Sequence, residues 1–207
     1  MKLLVAGAGG HGKVVADAAA MSGKYGAVAF LDDRYPGITT IGDWRVVGKL
    51  SDAPSRVNEF GAFVAAFGDA SLRLRALEMA EGVGFSLAVV VHPSATLAGR
   101  VSLGAGTVVL ARAVVNIDAA VGRGCIINTG AVVEHDCRLE EGVHVCPGAS
   151  VAGEVRIGRC SWIGIGACVI QRITIGNDVT VGAGAACIRD VPDGRVVVGV
   201  PAKEINS

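Results

Sequence analysis

Aromatic residues make up only 4% of this 207-residue chain, with two Trp and two Tyr. A core of stacked rings is thereby excluded, and any core must be assembled from aliphatic side chains. Net charge is missing too, since 19 Lys and Arg balance 19 Asp and Glu. Such a surface carries no electrostatic footprint for nucleic acid or an anionic membrane, so a phosphate on any ligand must be met locally. Long apolar runs are also absent. The mean hydropathy of +0.52 is high, yet glycine or charge interrupts every run well short of the roughly 20 residues that a bilayer span needs. The opening run from Leu3 to Ala6 meets Gly7 at once; it is too short for a signal-peptide core, and a cytoplasmic protein is expected. The six cysteines, at 125, 137, 146, 160, 168 and 187, include no C-x-x-C pair. That pattern points to reduced, packed thiols and to no metal site.

What the chain does have is a register. From Val91 an aliphatic residue returns at every sixth position through Leu97, Leu103, Val109 and Val115 to Val181, and Cys187 closes the series. Two residues before each slot runs a second, mostly small series, among them Ala95, Cys125, Cys137 and Ala185. Glycine favours the position after the slot, as at Gly104, Gly122, Gly164, Gly176 and Gly182. A period of six fits neither an α-helix nor plain alternation, but it suits a short strand followed by a tight corner. The expected structure is a parallel β-helix of hexapeptide repeats, with both series pointing inward and glycine easing the corners.

The first ninety residues follow different rules. Residues 2–6 read as a buried strand, followed by Gly7-Ala8-Gly9-Gly10-His11-Gly12 and a helical run from Lys13 to Met21. That order brings backbone N–H groups and a helix N-terminus to a phosphate. A second strand, Ala27 to Leu31, ends in Asp32-Asp33, at the distance where an acid reaches a ribose hydroxyl. A weak strand near Val46-Val47, a strand from Ala62 to Phe67 ending in Gly68-Asp69, a helix from Ser71 to Gly82 and a strand from Phe85 to Val91 complete a small α/β, Rossmann-like layer with a parallel sheet. His92-Pro93 marks the junction, so two domains are expected, 1–91 and 92–207. The first is too short for a full dinucleotide fold, which favours a nucleotide or nucleotide-sugar over NAD and argues against an oxidoreductase.

Within the repeats, Glu134-His135-Asp136 places three ionisable residues where the hexad requires none. His135 falls at a corner and should be reachable. A neutral imidazole is a proton acceptor near pH 7, and a neighbouring carboxylate can fix its tautomer. Asp136 is the first choice for that carboxylate and Glu134 the second. His144, just before slot Val145, should lie on an outer strand face, open to a ligand or a neighbouring subunit.

These motifs carry a resemblance over nearly the whole chain. Gly7-Ala-Gly-Gly-His-Gly12, Phe30-Leu-Asp-Asp33, Gly68-Asp-Ala-Ser-Leu-Arg73, Ile127-Asn-Thr-Gly-Ala-Val-Val-Glu-His-Asp-Cys137 and Val198-Gly-Val-Pro-Ala-Lys203 resemble the bacterial sugar-nucleotide acetyltransferases of the left-handed β-helix class. The likeness is greatest to those that N-acetylate UDP-linked 4-amino-4,6-dideoxy-sugars for bacillosamine-type glycans and protein glycosylation. The resemblance implies a left-handed coil, a homotrimer, and acetyl-CoA as co-substrate in the groove between subunits, without a metal. It implies His135 as general base oriented by Asp136, and Asn128 as a contact to the acceptor sugar. By the same resemblance His144, Gly153 and Ile165 meet acetyl-CoA, with the Gly153 N–H facing the oxyanion, and Gly9, Gly10, His11, Asp32, Asp33 and Gly68 meet the nucleotide-sugar. Some relatives carry Glu where this chain has Asp136. O-acetylation of sialic acid or a related sugar, and N-acetylation of another nucleotide sugar such as GDP-perosamine, are the alternatives within the scaffold; a non-catalytic nucleotide-sugar-binding scaffold is the alternative outside it.

Overall fold

The computed structural model describes residues 1–205. The chain divides into two compact units, Met1–Pro93 and the remainder from Ser94.

In the first unit, strands β1 (Lys2–Ala6), β2 (Ala27–Leu31), β5 (Gly61–Ala65) and β6 (Ser86–Leu87) form a parallel sheet in the order β2-β1-β5-β6. Leu3, Leu4, Val5 and Ala6 are all fully buried, as a strand covered on both faces requires. Helices α2 (Ala53–Phe60) and α3 (Ala70–Gly82) join Leu4, Leu31 and Phe63 in one cluster through Phe60, Ala76 and Leu77. Helix α1 (Gly10–Met21) packs against β1 and β2 through Val15, Ala16 and Ala19, which lie outside that cluster.

Several boundaries differ from expectation. The weak strand at Val46-Val47 is a single bridge from Val46 to Phe30, preceded by a short hairpin of β3 (Thr40–Ile41) and β4 (Trp44–Arg45). Helix α2 is additional to the expected elements and carries Pro54 in its first turn, where a missing N–H costs nothing. The strand expected from Phe85 to Val91 is two short segments, Ser86–Leu87 and Val90–Val91.

In the second unit, two-residue strands stack into three sheets of parallel strands, with partners eighteen residues apart, as in Val114↔Val132↔Ser150, and one sheet closes on an antiparallel pair, Val196–Val198 with Lys203–Glu204. The slot residues Val109, Val115, Ile127, Val133, Val145, Val151 and Ile163 are fully buried, and from Thr107 on the small series is buried with them; the first coil departs from expectation, with Leu97 38% exposed and Ala95 only partly buried. Where that second series is polar, its hydroxyl or thiol donates to a corner carbonyl fifteen residues on: Thr107 to Gly122, Cys125 to Glu140, Cys137 to Ala152 and Ser161 to Gly176. These bonds tie one coil to the next, with the Cys125 and Cys137 thiols as donors. Burial raises the Cys137 pKa to about 11, which keeps it a thiol.

Glycine after the slot does not relieve a left-handed backbone; it allows the coils to touch. A Cβ on Gly104 would sit 2.4 Å from the Arg123 nitrogen, and one on Gly164 2.5 Å from the Val181 oxygen. Positive φ falls two residues later, where glycine such as Gly106, Gly124 and Gly130 supplies it in some coils and Arg100, Asp118, Asp136, Glu154 and Arg172 adopt it at 59°, 61°, 60°, 63° and 64° in others. The charged residues that share this strained position with glycine keep their side chains at least partly exposed, and Asp in particular tolerates it.

Candidate active site

The sheet order of the first unit reverses between β1 and β5, and their carboxyl ends form the crevice where open α/β sheets bind ligands. Gly7 has φ 96° at the end of β1, and a Cβ on Gly12 would lie 1.9 Å from the Gly7 oxygen, so Gly12 lets α1 pack onto the strand. Gly9, Gly10 and Gly68 differ, because a Cβ on any of them would meet nothing within 4 Å. Their lack of side chains leaves space outside the protein's own packing, beside the N-terminus of α1. His11 lies in the first turn of α1, which begins at Gly10 and not at the expected Lys13; burial, followed by the charge of Arg73, lowers its pKa to about 4, so the ring is neutral at pH 7. Arg73 is itself 1% exposed and donates to the Phe67 and Gly68 carbonyls, 2.7 and 3.0 Å away. It thereby fixes the loop after β5.

Asp32 and Asp33 do different things. Asp32 accepts the Ala8 N–H at 2.8 Å and pairs with both ends of the Arg34 fork at 2.7 and 2.9 Å. The Arg34 hydrogen bonds are the main reason its pKa is lowered to about 2. This carboxylate braces the glycine turn instead of standing open to a ribose. Asp33 caps Leu50 through one oxygen, at 3.0 Å, and lines a cavity of about 410 Å³ with Leu50, Ser51, Leu72, Arg75 and Met79.

In the β-helix, His135 occupies the corner after Val132–Val133 and is half exposed, as is Asp136. Its Nδ1 lies 2.8 Å from Asp136 Oδ2. A carboxylate only accepts, so Nδ1 carries the hydrogen and Nε2 keeps its lone pair. That hydrogen bond, opposed by desolvation and reinforced by the charges of Asp136, Glu134 and Glu154, holds the imidazole above its usual pKa. Glu134 does not reach the ring, because Asn116 Nδ2 donates to it at 2.8 Å. One coil on, Gly153 underlies the imidazole: a Cβ there would stand 2.5 Å from Nε2 and 2.6 Å from Cε1.

His144 is on the outward ladder of its strand, between Ile126 and Trp162. It is nevertheless only 6% exposed. The Trp162 ring covers it at 4.3 Å between centroids, and its Nε2 lies 3.0 Å from Asn128 Nδ2. Ile165 stands at another corner, 61% exposed.

Residues 2–80 match the family described as PglD N-terminal domain. Among solved structures, the acetyltransferase domain of PglB from Neisseria gonorrhoeae FA1090 is 44% identical, with a TM-score of 0.95 and 99% of each chain covered. The chain belongs to the sugar N-acetyltransferases of left-handed β-helix type. The same PglB domain has been solved in complex with acetyl coenzyme A. A variant of GDP-perosamine N-acetyl transferase from Caulobacter crescentus, in complex with CoA and GDP-perosamine, is 38% identical at a TM-score of 0.96, over 100% of this chain and 98% of the other. WeeI from Acinetobacter baumannii AYE is 27% identical at 0.92, over 99% and 100%. No curated protein matches the chain in sequence.

As a sugar N-acetyltransferase, the chain uses acetyl-CoA as its co-substrate. Of the residues singled out in its sequence, the fold joins His135, Asp136 and Gly153 into one corner and Asn128 with His144 into another cluster. It gathers Gly9, Gly10, His11 and Gly68 at the crevice of the first unit, and Ile165 stands exposed at its own corner. Arg73 and Trp162 escaped sequence reasoning. Nothing in a helical run marks one arginine as buried, and an outward tryptophan reveals its partner only through the eighteen-residue register. No helix among the described residues is long and apolar enough to cross a membrane.

Proposed function

We propose that this enzyme transfers the acetyl group of acetyl-CoA to the 4-amino group of a UDP-linked 4-amino-4,6-dideoxy-sugar, as a cytoplasmic homotrimer serving bacillosamine-type glycan synthesis. The observation that carries the chemistry is the His135 ring, fixed by Asp136 at Nδ1 and laid over Gly153. Nε2 of His135 takes the proton from the acceptor amine as the nitrogen attacks the thioester carbonyl. Asp136 holds the tautomer and stabilises the imidazolium that forms. In each corner the N–H next to the slot and the one two residues further on bond to adjacent coils, as for Ala152 and Glu154. The N–H between them faces outward: those of Arg159 and Asn177 donate to side-chain oxygens, Asn177 Oδ1 and Asp193 Oδ1. Gly153 holds the same position, so its N–H is a suitable donor to the oxyanion of the tetrahedral intermediate. Collapse of that intermediate expels coenzyme A, which leaves as the thiol. His144, Asn128 and Ile165 are assigned to acetyl-CoA and sugar contacts. The diphosphate is assigned to the Gly9-Gly10-His11 turn, where α1 begins, and the base to the cavity beside Asp33.

GDP-perosamine is the second acceptor to weigh, because the 38% identical relative was solved with it. The test is thiol release from acetyl-CoA against UDP-4-amino-4,6-dideoxy-sugars, GDP-perosamine and sialic acid. Turnover with the UDP-linked amine alone supports the proposal. Preference for GDP-perosamine replaces the nucleotide, turnover of sialic acid alone makes the enzyme an O-acetyltransferase, and silence across the panel points to a binding scaffold.

A further inference from the structure

The corner that carries His135 also carries a column of charge. Its left-handed position is filled, coil after coil, by Arg100, Asp118, Asp136, Glu154 and Arg172. Adjacent coils are about 4.8 Å apart, so three carboxylates stand in sequence with one arginine at either end. Arg100 grips Asp118 with two bonds of 2.7 Å, from Nε to Oδ1 and from Nη2 to Oδ2. Arg172 Nε donates to Glu154 Oε1 at 2.9 Å. Only the middle acid, Asp136, is left for the imidazole.

We infer that Arg100 and Arg172 are positioning residues, which clamp the carboxylates on either side of Asp136 so that Asp136 alone serves His135 and the Nε2 face stays open to substrate. The role of Arg172 is the sharper one. Glu154 follows Gly153, over which Nε2 lies, so a released Glu154 carboxylate would compete for the protonated ring at the nitrogen that must exchange with the acceptor. The charged groups facing His135 are Asp136 beside it, Glu134 held by Asn116, and Glu154 one coil on; Arg100, Asp118 and Arg172 complete the column, and Arg138 anchors it by donating to the Asp118 carbonyl at 2.6 Å.

This inference rests on His135 as the base, and its test keeps the two apart. The protein has four histidines, few enough to assign the His135 Cε1–H proton resonance by its loss in His135→Ala. Its titration is followed by NMR in wild type, Arg172→Gln, Arg172→Lys and the double variant Glu154→Gln/Arg172→Gln. Freeing one carboxylate beside the ring raises the midpoint by about half a pH unit at the dielectric of water. The expected order is a raised midpoint in Arg172→Gln, and a wild-type one in Arg172→Lys and in the double variant. The acid limb of kcat/KM should move with it. An unmoved midpoint in Arg172→Gln, or an equal rise in the double variant, overturns the inference. A midpoint that moves as expected while the kcat/KM limb stays fixed leaves the column intact and removes His135 as the base. Arg172 is 74% exposed, so these variants keep the fold.

Discussion

Gly153→Ala puts the geometry of the corner to a severe test. The added methyl would lie 2.5 Å from His135 Nε2 and 2.6 Å from Cε1, whereas carbon contacts settle at about 3.5–4.0 Å. The ring must therefore retreat by roughly 1 Å. It has room to do so, since His135 is half exposed and the obstacle to the methyl is a side chain, not a backbone. The stability cost should stay near or below about 1 kcal/mol, a melting shift of about 2–4 °C. Catalysis has no such room, because a base misplaced by about 1 Å loses on the order of 100-fold, or about 2.7 kcal/mol of transition-state stabilisation. Thiol release under kcat/KM conditions and a thermal melt read the two effects separately. Activity within threefold of wild type would refute the placement of the reacting amine at Nε2. A collapse in melting temperature would show instead that the glycine serves the backbone.

Two further outcomes follow from the ion pairs. Asp136→Asn keeps a residue that tolerates φ 60° but removes the charge that raises the His135 pKa. Because the base works as the neutral ring, the acid limb of the kcat/KM profile should move to lower pH while kcat falls about 10- to 100-fold; a limb that stays in place would separate Asp136 from the base. Asp32→Asn should cost about 1 kcal/mol near neutral pH, discounted from the full shift because Arg34 is largely solvent-exposed. The folded pKa of Asp32 is depressed to about 2, so the wild-type advantage is present above the unfolded value and vanishes as pH falls through about 2. Paired urea melts at pH 7 and at the lowest pH where both proteins still fold would show a difference that does not narrow if Asp32 is not the source.

The repeat is legible because burial in a coil of strands is decided residue by residue. Val133 and Cys137 must point inward, and they do, and the His135 and Asp136 that break the pattern are the pair the corner joins. What the sequence conceals is whatever depends on the neighbouring coil. Gly153 looks like any corner residue until His135, eighteen positions earlier, is seen above it. His144 reads as an outward, accessible ring, yet Trp162 in the next coil covers it. Asp32 stands where an acid would reach a ribose, but Arg34 two residues later turns it to bracing the Ala8 turn. Arg73 is hidden for a further reason: a buried guanidinium is tolerated only because backbone carbonyls meet it, and carbonyls leave no mark in a sequence.

The central claim is that His135 is the base of an acetyl transfer to a nucleotide-linked amine. The most direct measurement is kcat of His135→Ala with the preferred acceptor, alongside the Kd of acetyl-CoA. The account predicts a loss of turnover of about 10²- to 10⁴-fold with acetyl-CoA binding changed by less than about twofold. Near-wild-type kcat would contradict it.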